Sequence, residues 1–314
     1  EVLTKRISEL TGGKFQIQVF AAGDIMSPNS VLDAVQKNTV ECGHTCSYYF
    51  HNRNKAFSLD TAIPFGPSAR QMNAWYYYGG GLELSREFFA RYGIVNFSGG
   101  NTGTQMGGWF HKEIKSLKDI KELKIRIPGF GAEIFSALGA TVRPDLPSAD
   151  IYQALARGEI DAAELVGPYD DEKQGIYKAA RFYYFPGWWE PAGRVTFYIN
   201  KGQWDQLPKA YQEAFEVAAA EVDIRILANY DAWNPQAIRR LVQNGTQLRR
   251  FPDDVMQAAY EVAQKIYTAQ SSINSDFKKI YDSIRAFQQI SDVWMGMAEN
   301  TMANFMQAKL PAGK

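Results

Sequence analysis

Three charged residues, Arg126, Glu164 and Glu190, stand in apolar or aromatic surroundings in the middle of the chain. Arg126 belongs to the run Lys-Ile-Arg-Ile-Pro, Glu164 follows Asp-Ala-Ala, and Glu190 follows Gly-Trp-Trp. A charge in such surroundings is unfavourable by several kcal/mol unless it is paired or binds a ligand. We therefore interpret the three side chains as a site for a small anion held beside a cation.

Each residue type suits one part of such a site. The planar guanidinium of Arg126 can bind a carboxylate through two parallel hydrogen bonds, and the carboxylates of Glu164 and Glu190 are hard oxygen ligands for a cation. Gln105, in the glycine-rich stretch 99–110, adds a neutral oxygen. Other interpretations stay open. Arg126 could form a structural salt bridge, and Glu164 could form a buried ion pair with a nearby lysine. Glu190 could be a surface carboxylate, and Gln105 could be a hydrogen-bonded loop amide.

The predicted elements place two of these residues at the same kind of position. Residues 123–127 and 160–165 have the composition and spacing of strands, so Arg126 and Glu164 lie near carboxyl ends, where open α/β sheets bind ligands. Alternation of apolar and polar residues predicts a further strand at residues 14–20. Strands that alternate with helices along the chain predict an α/β protein with two lobes.

Composition narrows the class of protein. The chain has 314 residues, 46% of them hydrophobic, and a formal net charge of zero, so neither nucleic acid nor an anionic membrane surface is an expected partner. No apolar run approaches the ~20 residues of a membrane span. The chain begins at Glu1 and a helical period follows at once, so we expect a processed or truncated chain with a first strand upstream.

Metal or catalytic motifs of the common kinds are not evident. Cys42 and Cys46 flank His44, and only His51 is near enough to add a ligand, so two buried thiols or one disulfide are better interpretations than zinc. The histidines have no H-E-x-x-H context, and G-x-S-x-G is absent. We expect no enzyme activity. The alternative is a metal-dependent lyase or aldolase that acts on 2-oxo acids.

Several motifs together resemble one family. The runs at 124–128, 160–164 and 187–190 are similar to those of the extracytoplasmic solute receptors of TRAP transporters, the DctP type, and most similar to members that bind 2-oxo acids such as pyruvate. Gly12-Gly13-Lys14-Phe15 and Ala62-Ile63-Pro64-Phe65 fit as well, so the resemblance covers nearly the whole chain. It implies an α/β, two-lobed periplasmic-binding-protein fold with crossing hinge strands and a long C-terminal helix.

The resemblance also implies roles for individual residues. Arg126 matches the arginine that holds the carboxylate of the ligand. Sodium or calcium would be held by Gln105, Glu164, the backbone carbonyl of Leu165 and Glu190. The pocket would be lined by Tyr48, Tyr49, Phe65 and Trp189. The ligand would be a small 2-oxo or 2-hydroxy monocarboxylate, and a lactate receptor that uses calcium is the alternative within the family.

The implied organisation has two lobes and an appended helix. We expect lobe I to comprise residues 1–103 with about 196–235, lobe II to comprise 104–195 with about 236–290, and the C-terminal helix to comprise 291–314. Crossing strands are expected near 102–107 and 194–199. The resemblance implies a periplasmic receptor whose partners are membrane permease subunits, with the last helix as a homodimerisation element.

Overall fold

The computed structural model describes residues 1–309, in which strands form two separate sheets. The strands are β1 (Cys42–Thr45), β2 (Ile94–Asn101), β3 (Trp109–Phe110), β4 (Lys124–Arg126), β5 (Thr141–Val142), β6 (Ala162–Ala163), β7 (Phe182–Phe185), β8 (Arg194–Asn200) and β9 (Gln247–Arg250). The smaller sheet has the order β1-β8-β2 and the larger has the order β5-β4-β6-β3-β7-β9.

The strand partners explain where the candidate residues end up. In the smaller sheet, β8 pairs antiparallel with both β1 and β2. In the larger sheet, β4 runs parallel to β5 and β6, and β3 pairs antiparallel with β6 and β7. Strands β4 and β6 therefore bring their carboxyl ends to the same edge.

Helices cover both sheets. They are α1 (Val2–Leu10), α2 (Val31–Gln36), α3 (Ala56–Thr61), α4 (Ala69–Tyr78), α5 (Gly81–Ala90), α6 (Gly129–Ala137), α7 (Ile151–Ala156), α8 (Pro168–Gln174), α9 (Lys201–Gln206), α10 (Lys209–Gln243), α11 (Asp253–Ile273), α12 (Ser275–Met295) and α13 (Thr301–Gln307). No helix in the described residues is long and apolar enough to cross a membrane.

Helix α10 connects the two halves of the molecule. The sequence predicts a helix that ends near Asn229 and a second that begins at Ala237, and this prediction is wrong, because α10 is continuous through Pro235. An internal proline removes one helical hydrogen bond. The helix tolerates it because it packs on β2 with its first half and on α8 around the proline, where the side chain of Asn234 accepts a hydrogen bond from Tyr169 N at 3.0 Å.

The predicted strand at residues 14–20 is also absent. Strand β1 lies at the edge of its sheet and pairs with β8. Residues 15–22 are separated from β1 by an apolar cavity of about 1020 Å³. A strand needs a hydrogen-bonded neighbour, and no strand lies beside this segment in the part of the chain that the structure describes. Apolar and polar residues do alternate in this segment, but alternation alone does not supply the backbone hydrogen bonds of a sheet.

The crossing between the halves is made by β2 and β8. The predicted strand at 102–107 is wrong in position, because β2 ends at Asn101 and the next strand begins at Trp109. One further bond, from Thr102 N to the carbonyl of Gly193 at 3.0 Å, extends the pairing beyond β2. Gly103 and Gly108 then take positive φ angles of 71° and 78°, which turn the chain before it enters the larger sheet.

The C-terminal helical segment is longer than residues 291–314. Helix α12 begins at Ser275, and a π-helical turn, Gly296–Asn300, joins it to α13, while residues 310–314 lie outside the described residues. The first half of α12 packs on α3, α4 and α5 and buries Phe277 and Ile284. The last turns expose a row of large apolar side chains: Val293, Trp294, Met297, Met302, Phe305 and Met306.

Candidate functional site

Arg126 and Glu164 lie side by side at the edge where β4 and β6 end. The Nη1 atom of Arg126 donates to the backbone carbonyl of Glu164 at 3.0 Å and to its Oε2 at 3.1 Å. Its Nε atom donates to the carbonyl of Leu146 at 3.2 Å. No acceptor within residues 1–309 takes a hydrogen bond from Nη2. One side of this buried guanidinium is therefore available for a ligand carboxylate.

Glu190 and Gln105 reach the same place from outside the larger sheet. The backbone N–H of Gln105 donates to the carbonyl of Glu190 at 3.1 Å, and that of Gly187 donates to the carbonyl of Gln105 at 2.9 Å. A Cβ atom at Gly193 would stand 2.7 Å from Glu190 Oε1 and 2.8 Å from Gln105 Nε2. The glycine is therefore required for the close approach of these two side chains.

Apart from Glu164, which accepts from Arg126, three acceptor groups of this cluster lack protein donors within residues 1–309. Gln105 Oε1 is fully buried and has no hydrogen-bond partner in the described residues. Glu190 is only 4% exposed, yet no donor of residues 1–309 reaches its carboxylate. The backbone carbonyl of Leu165 also accepts no hydrogen bond from the described residues. Buried polar groups rarely lack a hydrogen-bond partner, so these oxygens favour the binding of a group that accepts electron pairs, such as a cation.

The charge balance points to a cation. Burial raises the pKa of Glu164 to about 8, although Arg126 partly opposes the shift and Asp171 adds to it. Burial and the neighbouring charge of Glu164 raise the pKa of Glu190 well above its usual range, again opposed by Arg126. Two buried carboxylates that resist ionisation, with amide and carbonyl oxygens beside them, form the hard donor set that sodium and calcium prefer. The residues present therefore fit a bound cation.

Aromatic side chains lie beside this cluster. Tyr48 and Trp189 line, with Glu190, a cavity of about 20 Å³, which has room for about one water molecule. The rings of Tyr48 and Tyr49 meet edge to face at 4.8 Å. Burial raises the pKa of Tyr49 to about 12, and the nearby Arg126 opposes the shift. The space that Tyr48, Trp189 and Glu190 enclose is therefore small in this structure.

Phe65 lies one layer behind that cavity. Its ring stacks on Trp188 at 5.0 Å, and its backbone N–H donates to the carbonyl of Trp188 at 2.8 Å. Its φ angle is +57°, a strained value for a bulky residue. Such strain is found where packing over-determines the backbone, commonly at ligand sites. The structure thus places Phe65 as a support for the Trp188-Trp189 turn.

The structure adds a residue that the sequence reasoning missed. Asp171, in the first turns of α8, is buried and accepts hydrogen bonds from Trp109 Nε1 at 2.8 Å, Tyr183 Oη at 2.7 Å and Val166 N at 3.3 Å. It therefore fixes the loop that follows Glu164. The acidic run Asp170-Asp171-Glu172 is typical of the first turn of a helix and does not indicate a site. The only signal in the sequence that could have identified Asp171 is that the loop before it follows the end of a strand.

The cysteines take no part in this cluster as ligands. Cys42 and Cys46 are free thiols, and burial raises the pKa of Cys46 to about 12. His51 instead contacts Ser58 and Glu133, with Nδ1 at 2.8 Å from Ser58 Oγ and Nε2 at 2.7 Å from Glu133 Oε1. No group of three or more His, Cys, Asp or Glu side chains is placed to hold a metal within residues 1–309. The donor set at Glu164 and Glu190 has two carboxylates and is of another kind.

Comparison with known proteins gives a consistent result. The profile of the DctP family, described as bacterial extracellular solute-binding protein, family 7, matches residues 1–273. The monocarboxylate 2-oxoacid-binding periplasmic protein of Nostoc sp. is 47% identical over 305 residues, which are 97% of this chain and 84% of that protein.

Solved structures agree. A TRAP transporter solute-binding protein from Bordetella bronchiseptica, a dimer with co-purified calcium and picolinate, superposes with a TM-score of 0.96 at 46% identity over 98% of this chain and 92% of that one. A TRAP periplasmic solute-binding protein from Pseudoalteromonas atlantica, with bound sodium and pyruvate, gives a TM-score of 0.92 at 35% identity, with 96% and 92% covered. One from Colwellia psychrerythraea, with calcium and pyruvate, gives 0.93 at 33% identity, with 96% and 92% covered.

These matches confirm the predicted fold class, an α/β periplasmic-binding-protein fold with a long C-terminal helix. They also confirm the predicted resemblance, and the family is one of extracytoplasmic receptors that bind solutes. The chain belongs to the DctP family of bacterial extracellular solute-binding proteins, family 7.

Proposed function

We propose that this protein is the periplasmic receptor of a TRAP transporter and captures a small 2-oxo or 2-hydroxy monocarboxylate, such as pyruvate, together with a cation. It then delivers the acid to membrane permease subunits and performs no chemistry on it. The observation that carries the proposal is the pairing of a buried arginine that has an unused Nη2 with buried carboxylate, amide and carbonyl oxygens that have no donors. The relatives that bind pyruvate with sodium or calcium support the same ligand class.

Each candidate residue has a proposed role in this site. Arg126 binds the carboxylate of the acid. The cation takes oxygen ligands from Gln105, Glu164, the backbone of Leu165 and Glu190. Tyr48, Tyr49 and Trp189 line the pocket, and Phe65 supports its wall. A 2-oxo acid can offer the cation one carboxylate oxygen and the adjacent 2-oxo oxygen, which adds a strong contact to a ligand with few atoms.

Closure of two lobes around the acid completes the proposal. We place lobe I at residues 1–103 with about 196–235 and lobe II at 104–195 with about 236–290, joined by β2, β8 and α10. Within the last range, the first half of α12 packs on the lobe I helices α3, α4 and α5. The tyrosines then come from lobe I and the arginine and glutamates from lobe II or the crossing. Closure of lobes about such a crossing traps the ligand. The small cavity beside Glu190 fits a closed form.

A homodimer through the last helix is part of the proposal. Trp294, Met297 and Phe305 are 58%, 66% and 59% exposed, and such a row of large apolar side chains is typical of an interface. The Bordetella bronchiseptica relative is a dimer. Mass measurement in solution tests this part: the chain should be dimeric, and Trp294→Glu with Phe305→Glu should give a monomer with unchanged acid binding.

Titration of the metal-free protein tests the main proposal. Pyruvate, 2-oxobutanoate, lactate and succinate are titrated by calorimetry in buffers that contain EDTA, sodium or calcium. A ligand that binds only the folded state raises the melting temperature, which gives a second readout. Pyruvate should bind with calcium or sodium and remain unchanged by NMR. No heat and no melting shift with any monocarboxylate would refute the proposal, and turnover of pyruvate would favour the lyase or aldolase alternative.

A further inference from the structure

We propose that Asp60, a buried carboxylate that does not reach the ligand cluster, is the positioning residue that holds three parts of the site in register. The inference rests on the proposed function for its binding readouts. Asp60 is 5% exposed and lies near the end of α3, two residues before the Ala62-Ile63-Pro64-Phe65 loop. Its contacts run to the turn that carries the tyrosines and to the start of β8.

The first link fixes the tyrosine turn. Ser47 Oγ donates to Asp60 Oδ2 at 2.6 Å, and Ser47 N donates to Thr61 Oγ1 at 2.8 Å. Ser47 is the first residue of the 3₁₀ turn that contains Tyr48 and Tyr49. A hydrogen bond to a buried carboxylate is short and strong. The direction in which the two tyrosine rings leave the backbone is therefore set from Asp60.

The second link fixes the crossing strand. Thr196 Oγ1 also donates to Asp60 Oδ2 at 2.6 Å, and Tyr198 Oη donates to Ser47 Oγ at 2.6 Å. Arg194 Nη2 stands 3.5 Å from Asp60 Oδ1. The residues at 194, 196 and 198 alternate along β8, so their side chains share one face of the strand. The Asp60 carboxylate thus faces the charge of Arg194 and accepts a hydrogen bond from Thr196, while Tyr198 reaches it through Ser47.

Arg194 passes this constraint to the cation ligands. It is completely buried, its guanidinium lies 3.6 Å from the centre of the Tyr76 ring, and Asp60 is its ion-pair partner. The next residue toward the N-terminus is Gly193, where an added Cβ atom would stand 2.7 Å from Glu190 Oε1 and 2.8 Å from Gln105 Nε2. A shift of Arg194 would therefore move the backbone against which Glu190 and Gln105 pack.

The third part is the aromatic wall. Helix α3 ends at Thr61, and Phe65 follows after a short loop with the strained φ angle of +57°. Phe65 N bonds the carbonyl of Trp188, next to Trp189. Asp60 therefore anchors the start of the loop whose other end supports the pocket wall. No direct contact between Asp60 and the ligand is needed for any of these effects.

Asp223 offers a matched control. It is 2% exposed, lies in α10, accepts a hydrogen bond from Ser98 Oγ at 2.6 Å and also contributes negative charge near Arg194. Its hydrogen bond holds α10 to β2 and does not reach the tyrosine turn or the 190–193 turn. Asp223→Asn and Asp60→Asn remove the same charge from the same half of the molecule. A purely structural role predicts similar results for both variants.

The test compares binding and amide hydrogen exchange in the full chain. Asp60→Asn should weaken pyruvate binding in calcium by about tenfold or more and weaken calcium binding in the absence of acid. Asp223→Asn should lower the melting temperature but change both affinities by less than about twofold. Ser47→Ala, a milder change that remains useful if Asp60→Asn does not fold, should weaken acid binding and leave calcium binding unchanged.

Hydrogen exchange separates this inference from the proposed function. In the ligand-free protein, Asp60→Asn should speed amide exchange at residues 47–50 and at residues 190–194. Ser47→Ala, used in its place, should speed exchange at residues 47–50. Asp223→Asn should speed exchange at neither segment. Unchanged exchange at both segments would overturn the inference whether or not the wild type binds an acid. A wild type that binds no acid, with faster exchange in Asp60→Asn, would refute the proposed function alone.

Discussion

Replacement of Glu190 by glutamine should stabilise the ligand-free protein while it removes the response to cations. Glu190 is 4% exposed and receives no hydrogen bond from the described residues. Burial and the charge of Glu164 raise its pKa well above the usual range. In the folded, cation-free protein ionisation of this carboxyl group is therefore unfavourable, whereas the unfolded chain lets it ionise. Glutamine has the same shape and does not ionise.

The size of the gain follows from the pH. For a carboxyl group with an unfolded pKa of 4.5, the raised folded pKa can lower stability at pH 7 by at most about 3 kcal/mol, since each pH unit is worth about 1.4 kcal/mol. Because the pKa is raised in the folded state, this group lowers stability progressively as the pH rises above 4.5 toward the folded pKa. Glu190→Gln should therefore raise the melting temperature by up to about 5 °C at pH 7 and by no more than about 1 °C at pH 5.

Calorimetric melting of both proteins from pH 5 to pH 8 in EDTA measures this difference. Glu83→Gln, at an exposed position in α5, is the control and should shift the melting temperature equally little at every pH. With calcium and pyruvate present, the order should reverse, because the wild type gains binding energy that the variant lacks. A variant that is less stable than the wild type at pH 7 in EDTA, or a gain independent of pH, would refute the reasoning.

Three further changes test the other parts of the site. Arg126→Lys keeps the charge but loses the planar fork, so pyruvate affinity should fall at least about tenfold in calorimetry while the fold remains intact. Gly193→Ala should lower calcium affinity at least about tenfold, because the new Cβ atom would stand 2.7 Å from Glu190 Oε1, whereas Gly296→Ala, which meets no atom within 4 Å, should not. Calcium should raise pyruvate affinity more than sodium does; equal or better binding in sodium would contradict this expectation.

The sequence was sufficient to predict which residues lie together where a residue suited to ligand binding stands at the end of a predicted strand. Arg126 is the last residue of β4 and Glu164 directly follows β6, and parallel pairing of those strands brings the two residues together, as their position at strand ends predicts. Glu190 and Gln105 belong to turns, so their residue types and surroundings suggested a part in the site, but their roles as ligands of one cation came only through the resemblance to the family. The roles of these side chains remain predictions, although their contacts and burial favour them.

The failures have physical causes that a pattern in one segment cannot reveal. Residues 14–20 alternate as a strand does, but the neighbour that would make it a strand is not set by the segment itself. Pro235 reads as a helix end, yet tertiary packing against α8 carries the helix through it. Asp60 has no unusual neighbours in sequence; its importance comes from Ser47, Thr196 and Arg194, which are distant along the chain.

The net charge of the cluster explains why the nature of the cation should matter. Glu164 and Glu190 carry two negative charges when ionised and Arg126 carries one positive charge, so the buried set has a net charge of −1. When a monocarboxylate binds, the net charge of the site becomes −2. A bound sodium ion changes this net charge to −1, and a bound calcium ion changes it to zero. Because an uncompensated charge in a buried site is unfavourable, calcium and the acid should each strengthen the binding of the other, and a dicarboxylate should bind more weakly than pyruvate.

The same charge balance requires both glutamates to be ionised in the complex. Since burial holds the pKa of Glu164 at about 8 and that of Glu190 well above its usual range in the free protein, calcium binding at pH 7 should release protons, and the heat of binding should therefore vary with the ionisation enthalpy of the buffer.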